Sequence, residues 1–243
     1  MPASLPDADG ATLAQIFRLL DDAYGDETWV WDPEHVRGAM DVVAGAVLVQ
    51  HTTWTNAERA LENMRAAGAL DPSRLARMPD DALIQLVRVS GTPNVKARRL
   101  RAIARTIVDA GGLEALLALD RDDLRRGLLD THGIGPETAD AILLYAAGHR
   151  TFLIDAYTQR VFRRIGRGPA SNSYDAWQRW FEDRLRDADA GAFQRMHAHI
   201  VLHGKAVCRT NPRCGTCPLA GCCDTGSKVL AAPKSGAAPG ERG

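Results

Sequence analysis

The sequence predicts an all-α protein, and three observations lead to that prediction. Apolar residues recur with a period near 3.6 through most of the chain, whereas the alternating pattern of half-buried strands is nearly absent. Short Gly, Pro or Asp signals separate the periodic segments, for example at Asp71-Pro72, Met78-Pro79-Asp80 and Gly111-Gly112. At 243 residues the chain can bury a substantial core, as one large or two small domains.

Eleven helices follow from this pattern in chain order. They are expected near residues 11–24, 35–50, 55–67, 79–89, 95–110, 113–118, 121–129, 136–147, 155–166, 174–186 and 190–204. The two ends, residues 1–8 and 226–243, are rich in Ala, Pro, Gly and Ser and are expected to be disordered.

The most informative segment joins the helices expected at 121–129 and 136–147. An apolar helix runs into Gly133-Ile134-Gly135, and the next helix starts at once. The glycines leave backbone amides free to face a phosphate, and the dipole of the second helix adds to the attraction. We interpret the segment as a helix-hairpin-helix that clamps DNA, although such a loop is also an ordinary helix C-cap. Asp155, 20 residues after Gly135 in an apolar setting, is then a candidate for chemistry at a fixed distance from the clamp.

With these features, the segment from Asp41 to Cys223 resembles the endonuclease III (helix-hairpin-helix, Gly-Pro-Asp) superfamily of DNA glycosylases. The resemblance implies two helical lobes with DNA between them. Residues 9–33 and 149–207 would form one lobe, and residues 34–148 would form a helical barrel that carries the hairpin at about 124–147. Asp155 would be the catalytic acid, which activates water or stabilises an oxocarbenium-like sugar. The hairpin residues implied to contact DNA are Gly133, Ile134, Gly135, Glu137 and Thr138.

One position departs from the bifunctional members of this family. Those members have a lysine two residues after the second hairpin glycine, and its amine attacks the sugar. Glu137 occupies this position, and a carboxylate cannot form the Schiff base that leads to strand cleavage. The run Gly-Ile-Gly-x-Glu, the run 139–143 and the stretch 46–54 look most like the monofunctional 3-methyladenine DNA glycosylases of the endonuclease III type.

All five cysteines lie between residues 208 and 223, and this clustering indicates a metal site rather than a disulfide framework. The spacing Cys208-x5-Cys214-x2-Cys217-x5-Cys223 suits either one tetrahedral Zn²⁺ or a [4Fe–4S] cluster. Cys222 is an alternative to Cys223 as the fourth ligand. The family carries a [4Fe–4S] loop at this place, so the resemblance implies an iron–sulfur loop at 208–223.

Four further residues are candidates for DNA contact. Arg209 and Arg213 lie in the cysteine loop, where a rigid loop would hold both toward a phosphate. Gln50 stands where the family places a residue in the space left by the flipped base, or it is only a polar helix end. Lys96 belongs to the stretch 90–97, which matches the family's second DNA-facing loop or is simply a turn before a helix.

Aromatic residues near the N-terminus are candidates for a base pocket. Trp29 and Trp31 lie outside any helical stripe, and Trp54 follows Gln50. Core packing is the ordinary role of tryptophan. However, a flipped alkylated purine is a flat cation, and indole faces attract flat cations. We add Lys205 to this predicted pocket.

Composition and charge set the remaining expectations. The net charge is zero and the pI is about 7.0, which argues against a broad polyanion binder but does not exclude DNA binding. No stretch of 18 apolar residues occurs, and we do not expect the first residues to act as a secretory leader. We expect a cytoplasmic, nucleoid-associated monomer that acts on double-stranded DNA with damaged bases and has no membrane partner.

The sequence therefore predicts a monofunctional DNA N-glycosylase that excises damaged, alkylated bases in base-excision repair. A positively charged 3-methyladenine is already a good leaving group, so one carboxylate near the sugar is sufficient. Two alternatives stay open. One is a glycosylase for oxidised or mismatched bases with weak AP-lyase activity from Lys96 or Lys205, and the other is a non-catalytic protein that binds DNA structures.

Overall fold

The computed structural model describes residues 8–32 and 35–232, and the regular secondary structure of these residues is entirely helical. The predicted all-α class is confirmed. The α-helices in chain order are α1 (Ala8–Tyr24), α2 (Ala39–Leu48), α3 (Trp54–Ala66), α4 (Pro72–Arg77), α5 (Asp80–Val87), α6 (Pro93–Asp109), α7 (Leu113–Leu117), α8 (Arg121–Leu129), α9 (Pro136–Ala141), α10 (Ala156–Ile165), α11 (Tyr174–Arg184), α12 (Ala190–Ala206) and α13 (Asp224–Ala231). A π-helical segment, Ile142–Ala146, continues α9, and 3-10 turns occur at Arg88–Ser90, Cys214–Thr216 and Ala220–Cys222.

Two of these helices were not predicted. The short helix α4 begins after Asp71, whose carboxylate accepts the Arg74 N–H at 2.7 Å. Helix α13 begins after Cys223, whose sulfur accepts the Gly226 N–H at 3.3 Å. The expected disorder is therefore wrong for residues 226–231, and Ala8 likewise belongs to α1. The rest of both tails, residues 1–7 and 233–243, lies outside the described residues.

Most predicted helices agree with the structure to within three residues at each end, and two depart from it further. The helix expected from residue 35 begins at Ala39, because residues 35–38 form a turn in which the Arg37 N–H donates to the Asp41 carboxylate at 2.6 Å. The helix expected at 136–147 changes from α to π hydrogen bonding at Ile142.

The helices pack in two groups. In the first, α6 packs against α4 and α5, and α3 packs against α2 and α5. In the second, α12 packs against α1 and α10, and α10 packs against α13. The π-helical segment touches both α2 and α12, and one continuous apolar core runs through both groups. This is a two-lobed arrangement. The exact residue bounds of the lobes remain as predicted from the sequence. Among the described helices, none combines the length and apolar character that a membrane span requires.

The buried carboxylate of Asp140 ties the two helices of the hairpin to each other and to α11. Asp140 on α9 is fully buried and accepts hydrogen bonds from Arg125 on α8 at 2.8 and 3.2 Å. It also accepts one from Gln178 on α11 at 2.8 Å. The same Gln178 amide donates to the carbonyl of Phe152 at 3.0 Å, three residues before Asp155. The hairpin and the segment that carries Asp155 are therefore held to one another.

Candidate active site and DNA interface

The hairpin between α8 and α9 has the geometry that its glycines predict. Gly133 has a left-handed backbone (φ 81°), and a Cβ there would lie 2.4 Å from Arg99 Cγ, so this position requires glycine. Gly135 and Glu137 are exposed, whereas Ile134 and Thr138 are buried. The side chains of Ile134 and Thr138 therefore face the protein, and any DNA contact at these two residues would come from the backbone.

Asp155 is the N-cap of α10. Its Oδ1 accepts hydrogen bonds from the Thr158 N–H at 2.7 Å and the Thr158 hydroxyl at 2.8 Å. Its Oδ2 lies 3.7 Å from Nε2 of His197, and its side chain is 12% exposed. Burial raises the pKa of Asp155, but His197 and the two Thr158 bonds outweigh it and lower the pKa below its usual value. A mostly buried carboxylate is thus kept ionised.

The residue Glu137 is exposed as a whole, but its carboxyl group faces the same site from the start of α9 and is desolvated there. Desolvation by the surrounding protein, and then the charge of Asp155, raise the pKa of Glu137 to about 6, although His197 opposes the shift. The hairpin therefore presents a second carboxyl group to Asp155, at the position where the bifunctional enzymes have an amine.

The tryptophans predicted for a base pocket come together. The ring of Trp31 lies 4.7 Å from that of Trp54 and 5.8 Å from that of Tyr145, measured between centroids. Trp29 packs edge-on against His197 at 5.7 Å, and the Lys205 ammonium lies 5.9 Å from the Trp29 ring. Trp29 is buried, whereas Trp31 and Trp54 are partly exposed. We call Trp29, Trp31, Trp54 and Tyr145 the aromatic cluster.

Sequence reasoning missed Tyr145 and His197. The Tyr145 hydroxyl lies 2.8 Å from His197 Nδ1 and accepts a hydrogen bond from the Trp29 indole at 3.2 Å. Neither residue belongs to a recognisable motif, and the contact joins positions 52 residues apart. The available signal was the proximity of Tyr145 to the hairpin helix.

Comparison with known proteins identifies the family. The model of the HhH-GPD superfamily of base excision DNA repair proteins matches residues 44–187. A Methanocaldococcus jannaschii protein named as a DNA repair glycosylase is 38% identical over 84% of this chain and 92% of its own length. The chain belongs to the HhH-GPD superfamily. It is thus a DNA glycosylase of base-excision repair.

Solved structures agree with this membership. The H. pylori 3-methyladenine DNA glycosylase bound to 1,N6-ethenoadenine is 26% identical, with a TM-score of 0.69 over 79% of this chain and 96% of that one. A non-covalent endonuclease III–DNA complex has a TM-score of 0.76 at 19% identity, over 92% of this chain and 99% of that one, and so shares the fold. As a member of a superfamily of DNA repair proteins, this glycosylase has DNA as its partner.

Gln50 of the glycosylase is tied to the hairpin. Its amide donates to the Thr138 hydroxyl at 2.8 Å and accepts a hydrogen bond from Arg99. The next residue, His51, has a positive φ of 56°, and Thr92 in the other predicted DNA-facing loop has a φ of 42°. Such strain in non-glycine residues is typical of functional loops. The insertion of Gln50 into DNA stays a prediction.

The position of Lys96 contradicts the predicted contact of this residue with DNA. Its side chain is 1% exposed, and its ammonium donates to the backbone carbonyls of Leu48, at 2.6 Å, and Ser90. Lys96 thus satisfies the carbonyl ends of α2 and the 3-10 turn. An amine bound in this way is reachable by neither a phosphate nor a sugar, so the proposed lyase role of Lys96 is also wrong.

Arg209 and Arg213 are exposed on the cysteine loop, as their predicted role requires. The guanidinium of Arg164 on α10 donates to the carbonyls of Arg209 and, at 2.8 Å, Thr210, so this loop is anchored to the Asp155-bearing helix. Their contact with DNA phosphates stays a prediction.

Four of the five cysteines line one cavity between α10, α12 and α13, namely Cys208, Cys214, Cys217 and Cys223. Arg164 Nη1 donates to the sulfur of Cys208 at 3.5 Å, and the sulfur of Cys223 accepts the Gly226 N–H. Cys222 instead directs its thiol to the Leu219 carbonyl, outside the residues that line the cavity.

The pKa of one thiol in this cavity shows what a bound metal would have to overcome. Burial, and more weakly the other three cavity thiols, raise the pKa of Cys217 to about 11. A bound metal would lower the pKa of Cys217 again and hold its sulfur as a thiolate. No group of three or more His, Cys, Asp or Glu side chains within the described residues is already arranged around a single ion.

Proposed function

We propose that this glycosylase is monofunctional and excises damaged, alkylated bases. The observation that carries the proposal is the buried, ionised carboxylate of Asp155, which lies opposite Glu137 where a bifunctional enzyme needs an amine. The similarity to a 3-methyladenine DNA glycosylase, at 26% identity, supports this branch of the superfamily.

The chemistry follows from the charge of the substrate. An alkylated purine carries positive charge, so it leaves the sugar without being protonated by the enzyme. The Asp155 carboxylate then stabilises the positive charge that develops on the sugar, or activates the attacking water. The partly exposed faces of Trp31 and Trp54 offer the flipped cationic base an electron-rich surface.

The four thiols that line the cysteine cavity, those of Cys208, Cys214, Cys217 and Cys223, are the donor set that a [4Fe–4S] cluster requires. Hydrogen bonds from Arg164 and the Gly226 N–H to sulfur are of the type that stabilises ligating thiolates. The cluster would fix the loop that carries Arg209 and Arg213, and it takes no part in base release. A single Zn²⁺ is the alternative for the same thiols.

Lys205 favours a second candidate function, glycosylase activity with weak AP-lyase activity. Its ammonium lies over Trp29 and faces Asp155. Desolvation lowers the pKa of Lys205 while Asp155 opposes that shift, and a lowered pKa makes an amine a better nucleophile.

Asp155→Asn tests the proposed function directly. Asparagine can still cap α10, so we expect normal folding and DNA affinity within a few-fold of wild type. Loss of the charge should slow single-turnover base release by about 10²–10³-fold. The substrates are duplexes with 3-methyladenine, 7-methylguanine, an oxidised pyrimidine or a mismatch, and free base is measured by chromatography. Asp109→Asn, an exposed change at the end of α6, is the matched control.

Two results would contradict the proposal. Near-normal base release by Asp155→Asn would remove the carboxylate from the mechanism. Wild-type release of only oxidised or mismatched bases would move the glycosylase to another branch of the superfamily.

A further inference from the structure

A buried polar chain ends at the catalytic carboxylate. The indole of Trp29 donates to the Tyr145 hydroxyl at 3.2 Å, that hydroxyl lies 2.8 Å from His197 Nδ1, and His197 Nε2 faces Asp155 Oδ2 at 3.7 Å. The imidazole of His197 is 6% exposed. These residues come from three separate parts of the chain, so the tertiary fold alone brings them together.

The charge of Asp155 favours a hydrogen on one nitrogen of His197. The ionised carboxylate of Asp155 favours a hydrogen on Nε2, because a lone pair there would face a negative charge. Nδ1 then bonds the Tyr145 hydroxyl, whose own hydrogen has two acceptors in reach, Nδ1 at 2.8 Å and the Gln194 carbonyl at 3.2 Å. The Tyr145 hydroxyl, held also by the Trp29 indole, thus orients the imidazole so that its Nε2–H points at Asp155.

In this series of polar contacts, Nε2 of His197 lacks a hydrogen bond. It is buried and has no hydrogen-bond partner within the described residues, and 3.7 Å is longer than a hydrogen bond. A buried donor without a partner is costly. Catalytic hydrogen bonds are often long in the free enzyme and shorten in the complex with substrate. The unpaired donor therefore points to a bond that forms when DNA is bound.

The backbone around Tyr145 supports a functional role. Tyr145 lies in the π-helical segment Ile142–Ala146, where the wider turn displaces the side chains from their α-helical positions. Single π-helical turns occur frequently at functional sites. In this position Tyr145 contacts both His197 and Trp31, the latter in the aromatic cluster.

We propose that His197, oriented by Tyr145, is a positioning residue that closes a hydrogen bond onto Asp155 when damaged DNA is bound. The proposal rests on the proposed glycosylase function. Asp155 Oδ1 is already held by Thr158, so the bond from His197 to Oδ2 would fix the remaining freedom of the carboxylate. A carboxylate fixed in this way stabilises charge on the sugar without reorganising.

Three variants separate positioning from packing. His197→Phe keeps a ring against Trp29 but removes both nitrogens, His197→Gln restores an N–H donor toward Asp155, and Tyr145→Phe removes only the hydroxyl. We expect His197→Phe to slow single-turnover base release by about 10- to 100-fold, the usual effect of losing an outer partner of a reactive group. His197→Gln and Tyr145→Phe should lie between it and wild type, with DNA affinity unchanged. Every variant is assayed below its own melting temperature, because loss of the Tyr145 hydroxyl leaves the buried Trp29 indole without its acceptor and lowers stability.

Two kinetic results would overturn the proposal. One is a release rate in His197→Phe within twofold of wild type. The other is a normally folded His197→Gln that is no faster than His197→Phe, since a restored donor would then be irrelevant.

A second measurement does not depend on base release. In ¹⁵N-histidine-labelled enzyme, we expect the nitrogen shifts of His197 to report the Nε2–H form. They should change in Asp155→Asn, and they should change when a duplex with a non-cleavable abasic analogue is added. Absence of both changes refutes the contact even in an active enzyme. If the wild type releases no base from any damaged duplex, the proposed function fails and the nitrogen shifts alone decide whether His197 bonds to Asp155.

Discussion

Replacing Lys96 with methionine is expected to make the stability of the protein less dependent on pH. Burial, and then the neighbouring Arg99, lower the pKa of Lys96 to about 8 in the folded protein, against 10.5 for an ordinary lysine. Between these two values the unfolded chain binds more protons than the folded one, so the free energy of unfolding rises with pH. At 1.36 kcal/mol per pH unit of difference, this group adds about 2 kcal/mol to wild-type stability between pH 7 and 9.5.

The Lys96→Met variant has no such group, and it leaves the carbonyls of Leu48 and Ser90 without their donor. Each buried carbonyl without a partner costs about 1–3 kcal/mol, so the variant should be less stable at pH 7. The deficit should grow by about 2 kcal/mol by pH 9.5. Guanidinium unfolding followed by circular dichroism measures both values, and Lys228→Met, an exposed change on α13, is the control. A deficit that stays constant with pH would refute this reasoning. If DNA binding depends less on salt in Lys96→Met than in the wild type, then Lys96 contacts a phosphate, contrary to what its burial indicates.

Two further predictions concern the reaction and the cysteine cavity. Borohydride reduction with damaged DNA should trap no covalent adduct of the wild type. The Glu137→Lys variant should gain some trapping and some strand cleavage. If the wild type is trapped, and if Lys205→Gln abolishes that trapping, the monofunctional proposal is wrong. Cys223→Ser should lose iron and brown colour while Cys222→Ser keeps both, because the Cys222 thiol lies outside the cavity lining. Iron per polypeptide measures this, and the opposite outcome would make Cys222 the fourth ligand.

Local chemistry explains why parts of the structure could be predicted from the sequence. The hairpin depends on the conformational freedom of Gly133 and on Pro136 at the first helical position, and both are properties of single residues. The cap of α10 likewise follows from Asp155 itself.

Burial was harder to predict. Lys96 shares a helical face with Leu100, Ile103 and Ile107, which are all buried, and this spacing was a usable signal that its side chain points inward. Tyr145 offered only its proximity to the hairpin helix, and His197 offered no comparable signal. Their contact depends on how α12 crosses the π-helical segment, which is set by packing between distant parts of the chain.

The distance between the hairpin and the proposed catalytic carboxylate of Asp155 is set by a buried charge rather than by the covalent chain. The hairpin helix carries Asp140, and the segment leading to Asp155 is bonded to Asp140 through Gln178. Arg125, on the first helix of the hairpin, holds the other side of the same carboxylate. Since a misplacement of about 1 Å can cost an enzyme about 100-fold in rate, a shift of the clamp would be transmitted to Asp155 as lost activity. Breaking this ion pair would leave an unpaired charge in the core, so the fold resists such a shift.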